Sequence, residues 1–239
     1  MLLPSAGFEH ALPLIPEHVT LCNGRGVHST GTAELALALV LASQRGLADA
    51  VVAQQEGRWS NPELPSLADR RVLVVGAGSV AEAIVQRLRP FEVEVSLVGR
   101  TARRGVHGVD ELPALLHFAD IVVLAVPYSP ATHHLLDASG LAALPDGALV
   151  VNVARGRVLD QDALLTELRA GRLRAALDVT DPEPLPSDHP LWHAPNTLIT
   201  AHQGGNSDAT YPRVAALLRR QLGHLLAGEP LENVVRASA

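Results

Sequence analysis

The segment Arg71-Val72-Leu73-Val74-Val75-Gly76-Ala77-Gly78-Ser79-Val80-Ala81 constrains this chain more than any other. Residues 72–75 are an unbroken apolar run, which reads as a strand buried on both faces. The turn after it has the form G-x-G-x-x-A, and residues 81–88 continue with helical character. Strand, glycine turn and helix in that order are what a dinucleotide phosphate site requires. Gly76 permits the tight turn. Gly78 has no side chain to hold a pyrophosphate away from the backbone. Small Ala81 lets helix and strand pack closely. The first helical turn, with Ser79 and Val80, offers free N–H groups and a positive dipole end to the phosphates.

From residue 70 the pattern alternates. Strands are predicted at 71–75, 93–98, 121–125, 148–152, 174–177 and 197–200, and helices at 79–88, 110–117, 138–143, 160–170 and 206–227. Short apolar strands alternating with helices imply βαβ units and a parallel sheet, with ligands at the carboxyl ends of the strands. The expected class is therefore α/β, a Rossmann-type doubly wound sheet. Upstream, residues 2–20 carry Pro4, Pro13 and Pro16 and read as irregular. A helix is expected over 29–44, with Thr30 and Glu34 as its start signal. A second helix follows at 47–56. Residues 58–69, with Asn61-Pro62 and Pro65, read as a linker.

Composition narrows the function. Hydrophobic residues make up 47% of the 239 and charged residues 18%, enough apolar material for a core. With aromatics at 3%, that core is aliphatic. The net charge of −6 leaves no basic excess and argues against nucleic acid or an anionic membrane as partner. All 19 strong cations are arginines, which excludes Schiff-base and P-loop lysines. Cys22 is the single cysteine, so no intrachain disulfide or cysteine metal cluster is possible, and a reducing cytoplasmic location is expected. The start of the chain shows no signal-peptide pattern, and the longest apolar run, 35–42, is too short to span a bilayer.

The remaining motifs follow predicted strands. The second strand ends Gly99-Arg100-Thr101, with Arg103 and Arg104 beyond. No carboxylate stands there to repel a ribose 2′-phosphate, and arginines grip one well, which favours NADP(H) over NAD(H). A solvated charged loop is the other reading of Arg103 and Arg104. The third strand runs into Val126-Pro127, with Thr132 downstream. The fourth gives Asn152-Val153-Ala154-Arg155-Gly156. Arg155 stands where a guanidinium meets either a substrate carboxylate or a surface partner, and Asp160 reads as the N-cap of the next helix. The fifth ends at Asp178, followed by Glu183 between Pro182 and Pro184. That glutamate is either a positioned partner or a solvated turn residue. The last strand leads to His202, just before Gly204-Gly205. Of the 11 histidines, His10, His28, His107, His117 and His224 have no evident chemical context.

Taken together these motifs resemble the D-isomer-specific 2-hydroxyacid dehydrogenases, in particular the glyoxylate/hydroxypyruvate reductase-like branch. The resemblance covers nearly the whole chain and takes in residues 29–34, the 76–81 fingerprint, Val126-Pro127 with Thr132, 152–156, 177–184, His202 and 228–235. It implies hydride transfer between NADP(H), with NAD(H) possible, and a small 2-keto or 2-hydroxy acid. Arg155 would bind the substrate carboxylate and carbonyl, His202 would be the acid/base, and Glu183 would pair with it. Cofactor contacts would come from Gly76, Gly78, Ser79, Val80, Arg100, Thr101, Val126, Pro127, Thr132, Val153, Asp178 and Gly204, with Asp178 at the nicotinamide amide.

The same resemblance makes 29–58 a dimerisation arm, so that a homodimer is expected, within a cofactor domain spanning 25–205. Members usually begin with a flavodoxin-like lobe. Here Ser5-Ala6-Gly7-Phe8-Glu9 resembles its substrate-facing loop, with Ala6 and Gly7 as substrate contacts. Residues 1–24 and the C-terminal helix region 206–239 are then expected to be remnants of that lobe. Two positions depart from the family pattern: Ala201 stands where proline is usual, and Gln203 is an unusual neighbour of the histidine. The alternative reading is a cofactor-binding regulatory or interaction protein with impaired catalysis, or an N-terminally truncated fragment of the enzyme.

Overall fold

A computed structural model describes residues 1–8 and 11–236; Glu9 and His10 of the N-terminal segment, and 237–239 of the expected C-terminal region, lie outside the described residues. The strands are β1 (Leu21–Cys22), β2 (Arg71–Val75), β3 (Glu94–Val98), β4 (Ile121–Leu124), β5 (Leu149–Asn152), β6 (Arg174–Leu177), β7 (Thr197–Ile199) and β8 (Val234–Arg236). The helices are α1 (Ser29–Gln44), α2 (Leu47–Gln55), α3 (Ser79–Leu88), α4 (Leu112–Leu116), α5 (Ala138–Ala143), α6 (Gln161–Arg169) and α7 (Thr210–Ala227).

Six strands form one parallel sheet in the order β3-β2-β4-β5-β6-β7. After β3 the chain crosses over β2 to reach β4, so the winding reverses between β2 and β4. That reversal opens a crevice at the carboxyl ends of the strands. A parallel bridge from Val98 to His107 continues the sheet beyond β3.

Strand alternation builds two cores from one sheet. Leu73, Val75, Val122, Leu124, Val150 and Leu177 face α4, α5 and α6, through Leu112, Leu116, Leu141, Leu164 and Leu168. Val72, Val74, Val123 and Val151 point to the opposite face, against Ala36, Leu39 and Val40 of α1 and Ala81 and Ile84 of α3. Every residue of β4 and β5 is buried, as a strand covered on both faces demands. No single helix among the described residues is long and apolar enough to cross a membrane.

The start of α1 differs from expectation. Among the described residues no side chain caps it. The Ser29 hydroxyl donates to Ser79 Oγ at 2.9 Å, and Glu34 pairs with Arg87 at 3.2 Å, so both are spent on α3 rather than on the helix end. Residues 2–20 contain a short 3-10 turn, Leu12–Leu14, whose surroundings form a small separate core of Ala11, Ile15 and Leu21 with Val235. There β1 pairs antiparallel with β8, and Leu2 bridges Cys22, which ties the first residues to the last.

Candidate active site

The glycine turn leaves β2 beside the end of β4. Gly76 has φ +135°, and a Cβ there would overlap the Ala125 carbonyl, so only glycine lets the two strand ends approach. Gly78 differs. Its backbone is extended, and a Cβ would meet only open space. Nothing inside the protein requires its glycine, and the space it leaves lies at the start of α3. Among the described residues no side chain caps that helix, so its first N–H groups face the same opening. Ser79 and Val80 are half-buried in its first turn. These features fit a dinucleotide pyrophosphate.

Arg100 and Thr101 are exposed at the end of β3. Arg103 bends back, and its NH2 group donates to Ala77 O in the glycine turn at 3.2 Å. No carboxylate forms an ion pair with Arg100, Arg103 or Arg104 among the described residues. Val126 is half-buried against the core, and Pro127 is exposed. The Thr132 hydroxyl folds its own loop, donating to Pro127 O at 2.8 Å and accepting from Ser129 N at 2.7 Å.

Three neighbouring strands deliver the candidate chemical residues to one edge. Asn152, Leu177 and Ile199 end β5, β6 and β7 in register. Arg155 stands three residues beyond the first, Asp178 directly after the second, and His202 three beyond the third. Asn152 is fully buried and shapes the first turn: its amide donates to Arg155 O at 3.0 Å, and its oxygen accepts from Ala154 N at 3.0 Å. Val153, inside that turn, is 8% exposed and belongs to the core. The half-buried Arg155 has its NH1 group on Ala154 O at 2.7 Å, with no carboxylate in ion-pair range among the described residues.

Asp178 is 3% exposed, and the His202 loop occupies both of its oxygens. Thr200 Oγ1 and Gln203 N donate to one at 2.6 and 2.7 Å, and Gly204 N donates to the other at 2.9 Å. His202 N also donates to Asp178 O at 2.8 Å. This network fixes a loop that the absence of proline at Ala201 would otherwise loosen, and Gln203 joins it through its backbone. His202 itself has φ +50°. Its Nδ1 is hydrogen-bonded to Glu183 Oε1, which joins the loops after β6 and β7. Among the described residues Nε2 has no hydrogen-bond partner. Their side chains are 46% and 38% exposed, so the pair is open to a ligand.

The Glu183 loop has supports of its own. Thr180 Oγ1 donates to Pro182 O at 2.9 Å, Arg157 Nε donates to the Asp181 carboxylate at 3.2 Å, and Trp192 Nε1 donates to Pro186 O at 2.8 Å. The Asp181 contact, first of all, keeps the Arg157 guanidinium more firmly protonated than usual.

Ala6 and Gly7 lie on the segment packed against β1. Asn23 Nδ2 donates to Ala6 O at 2.6 Å, and Ser5 Oγ donates to Gly7 O at 2.8 Å. His28 lies between Pro4 O and Gly205 O, at 3.2 and 3.3 Å, which sets this segment beside the His202 loop. Asn152, His28 and the Arg103–Ala77 contact are the parts that motif reading missed. A polar residue ending the apolar run of β5 was the one local signal for Asn152.

A cavity of about 410 Å³ lined by Arg70, Asp120, Ala148 and Arg174 opens at the opposite edge of the sheet and takes no part in this grouping. Among the described residues no group of three or more His, Cys, Asp or Glu side chains could hold a metal ion.

Comparison with known proteins gives the family. Residues 37–204 match the family model of the D-isomer specific 2-hydroxyacid dehydrogenase NAD binding domain. The glyoxylate reductase/hydroxypyruvate reductase of Homo sapiens is 32% identical over 217 residues, which cover 86% of this chain and 66% of that protein. A D-3-phosphoglycerate dehydrogenase of Methanocaldococcus jannaschii is 31% identical over 91% of this chain, and the match spans 43% of its length. A D-isomer specific 2-hydroxyacid dehydrogenase from Xanthobacter autotrophicus, solved in complex with NADPH and MES, superposes with a TM-score of 0.84 at 34% identity. That superposition covers 98% of this chain and 77% of the other.

Proposed function

The chain belongs to the D-isomer-specific 2-hydroxyacid dehydrogenases, and from that premise we propose that it transfers a hydride between NADP(H) and a small 2-keto or 2-hydroxy acid of the glyoxylate or hydroxypyruvate kind. The observation that carries this reading is the contact between His202 Nδ1 and Glu183 at the edge where Arg155 also emerges. The bound nicotinamide supplies the hydride. Everything else falls to the protein. Arg155, free of an acidic partner, holds the substrate carboxylate and steadies charge on the carbonyl oxygen. With Nδ1 committed to Glu183, His202 gives its proton from Nε2 to that oxygen in reduction and takes it back in oxidation.

NADP(H) preference rests on the arginines after β3, which no carboxylate neutralises among the described residues. Residues 1–24 and the C-terminal region after 206 then represent the substrate side, and 25–205 the cofactor domain. A homodimer through the arm at 29–58 is supported by Leu47, Val51 and Val52, exposed on it, and by Trp59, exposed just after it. A reducing cytoplasm suits Cys22, which is buried and free.

The test is oxidation of NADPH and NADH by this chain with a panel of 2-keto acids. Replacing His202 by Asn is expected to lower turnover about 10²–10⁴-fold. A second reading, cofactor binding without turnover, is favoured by the exposure of His202 and Glu183. Cofactor binding in a calorimeter with no keto acid consumed would select that reading. Failure to bind either cofactor would overturn both.

A further inference from the structure

Glu183 reaches His202 from a loop whose main chain is held by a side chain on another element. Gln161, the first residue of α6, is 9% exposed. Its Nε2 donates to Asp181 O at 2.8 Å, and its Oε1 accepts from Asp181 N at 3.0 Å. One amide thus satisfies both main-chain polar groups of a single loop residue, as a neighbouring strand would. Asp160, just before it, caps α6 by accepting from Ala163 N at 3.0 Å, so the clamp stands on a fixed helix end.

The clamp lies two residues from Glu183. The intervening Pro182 has its carbonyl held by Thr180 Oγ1, so little freedom remains between clamp and carboxylate. The segment that carries Gln161 also carries Arg155. Gly156, next to that arginine, lies so close to Thr180 O that a Cβ would overlap it. Arg157 grips the Asp181 carboxylate from the same side.

We propose that Gln161 is a positioning residue for the acid/base pair: by fixing the Asp181 main chain it holds the Glu183 carboxylate on His202 and keeps both in register with Arg155. The proposal rests on the reading of Glu183 and His202 given above. In this proposal Gln161 acts through Glu183 and not on substrate or cofactor.

The molecule contains its own control. Gln221 on α7 clamps Glu232 in the same way, with Nε2 to Glu232 O at 2.7 Å and Glu232 N to Oε1 at 2.9 Å, away from the candidate site. A purely architectural role would make the two glutamines equivalent.

The experiment compares Gln161→Ala, Gln221→Ala and Glu183→Gln in the full chain, alone and combined. The His202 ring resonances are read first, by NMR on the protein without cofactor or substrate. Gln161→Ala is expected to move them toward their position in Glu183→Gln, and Gln221→Ala to leave them in place. In turnover, Gln161→Ala is expected to lower kcat about tenfold with cofactor affinity unchanged. In the Glu183→Gln background the same substitution is expected to change kcat less than about twofold, since residues acting as one unit are not additive. If Gln161→Ala does not fold, Gln161→Glu, which keeps the side-chain length and the bond from Asp181 N, takes its place.

Unmoved His202 resonances, or an equal loss of kcat with and without Glu183, would overturn the proposal. Because the resonance readout needs no catalysis, a chain that turns over no keto acid would sink the enzymatic reading and still leave the clamp measurable.

Discussion

The Cα of Gly156 and the carbonyl of Thr180 are in such close contact that no side chain fits between them. Gly156 follows Arg155, and Thr180 begins the loop that carries Glu183, so the Arg155 guanidinium and the carboxylate loop share one packing joint. Gly156→Ala is expected to push the two apart. The cost is about 1–3 kcal/mol, the usual range for overpacking. Urea unfolding measures it, and turnover is expected to fall further than stability alone would dictate. An alanine variant with wild-type stability and activity would show that the joint yields freely.

Asp178 takes three hydrogen bonds from the loop that presents His202, two of them from the backbone N–H groups of Gln203 and Gly204. Asp178→Asn substitutes an amide NH2 for one accepting oxygen and leaves a buried donor facing a donor. A loss of about 1–3 kcal/mol is expected, the range for an unsatisfied buried polar group. Hydrogen exchange checks it: the Gln203 and Gly204 amides should lose protection while those of β4 keep theirs.

On the proposed reading, cofactor choice turns on the arginines after β3. Arg103 is held over the glycine turn by Ala77 O, and Arg100 is exposed nearby. Replacing both by Ala is expected to reduce the preference for NADPH over NADH by about 10–100-fold, as the loss of charge-assisted hydrogen bonds of ~1.5–3 kcal/mol implies. NADH binding should change little. Equal losses for the two cofactors in a calorimeter would assign these arginines to the turn rather than to a 2′-phosphate.

Acid sensitivity has a named contributor. The hydrogen bond from Arg172 Nε to Glu167, at 2.6 Å, holds the glutamate carboxyl below its ordinary value, against a smaller opposing effect of burial. The unfolded chain therefore binds this proton at a higher pH than the folded one. The stabilisation is complete above the ordinary glutamate range and is lost as pH falls through the lowered folded value. Arg172 also donates to Leu141 O and Leu144 O, at 2.6 and 2.7 Å, so the pair fastens α5 to α6. Glu167→Gln is expected to lower stability at neutral pH by about 1 kcal/mol. It should also flatten the acid limb of a stability profile measured by urea unfolding.

These contacts mark the limit of what the linear sequence discloses. The apolar runs at 71–75, 121–124 and 149–152 announce their strands because burial on both faces leaves almost nothing polar in them. Arg155 stands out because it follows the buried run of β5 within three residues, whereas β7 before His202 is only half-buried and Glu183 lies six residues past β6, so those two are singled out by resemblance rather than by pattern. The two- and three-residue strands β1 and β8 have no period to read and exist through pairing across more than 200 residues, Leu21 with Arg236. α7 begins at Thr210 rather than 206, because the chain before it is still tied to carbonyls of the histidine loop. Asn206 N donates to Gln203 O, and Ser207 N and Thr210 Oγ1 both donate to Gly205 O. Gln161 on Asp181, Arg103 on Ala77 and Ser29 on Ser79 are likewise meetings of residues 20, 26 and 50 positions apart.

The indole of Trp192, donating to Pro186 O, gives the carboxylate loop a fluorophore of its own. The chain has two tryptophans, and Trp59, beyond α2, is 97% exposed. In a Trp59→Phe background the remaining emission becomes an optical readout of that loop, three residues downstream of Glu183 at its point of attachment. Ligand arrival can then be timed in a stopped-flow instrument without a label.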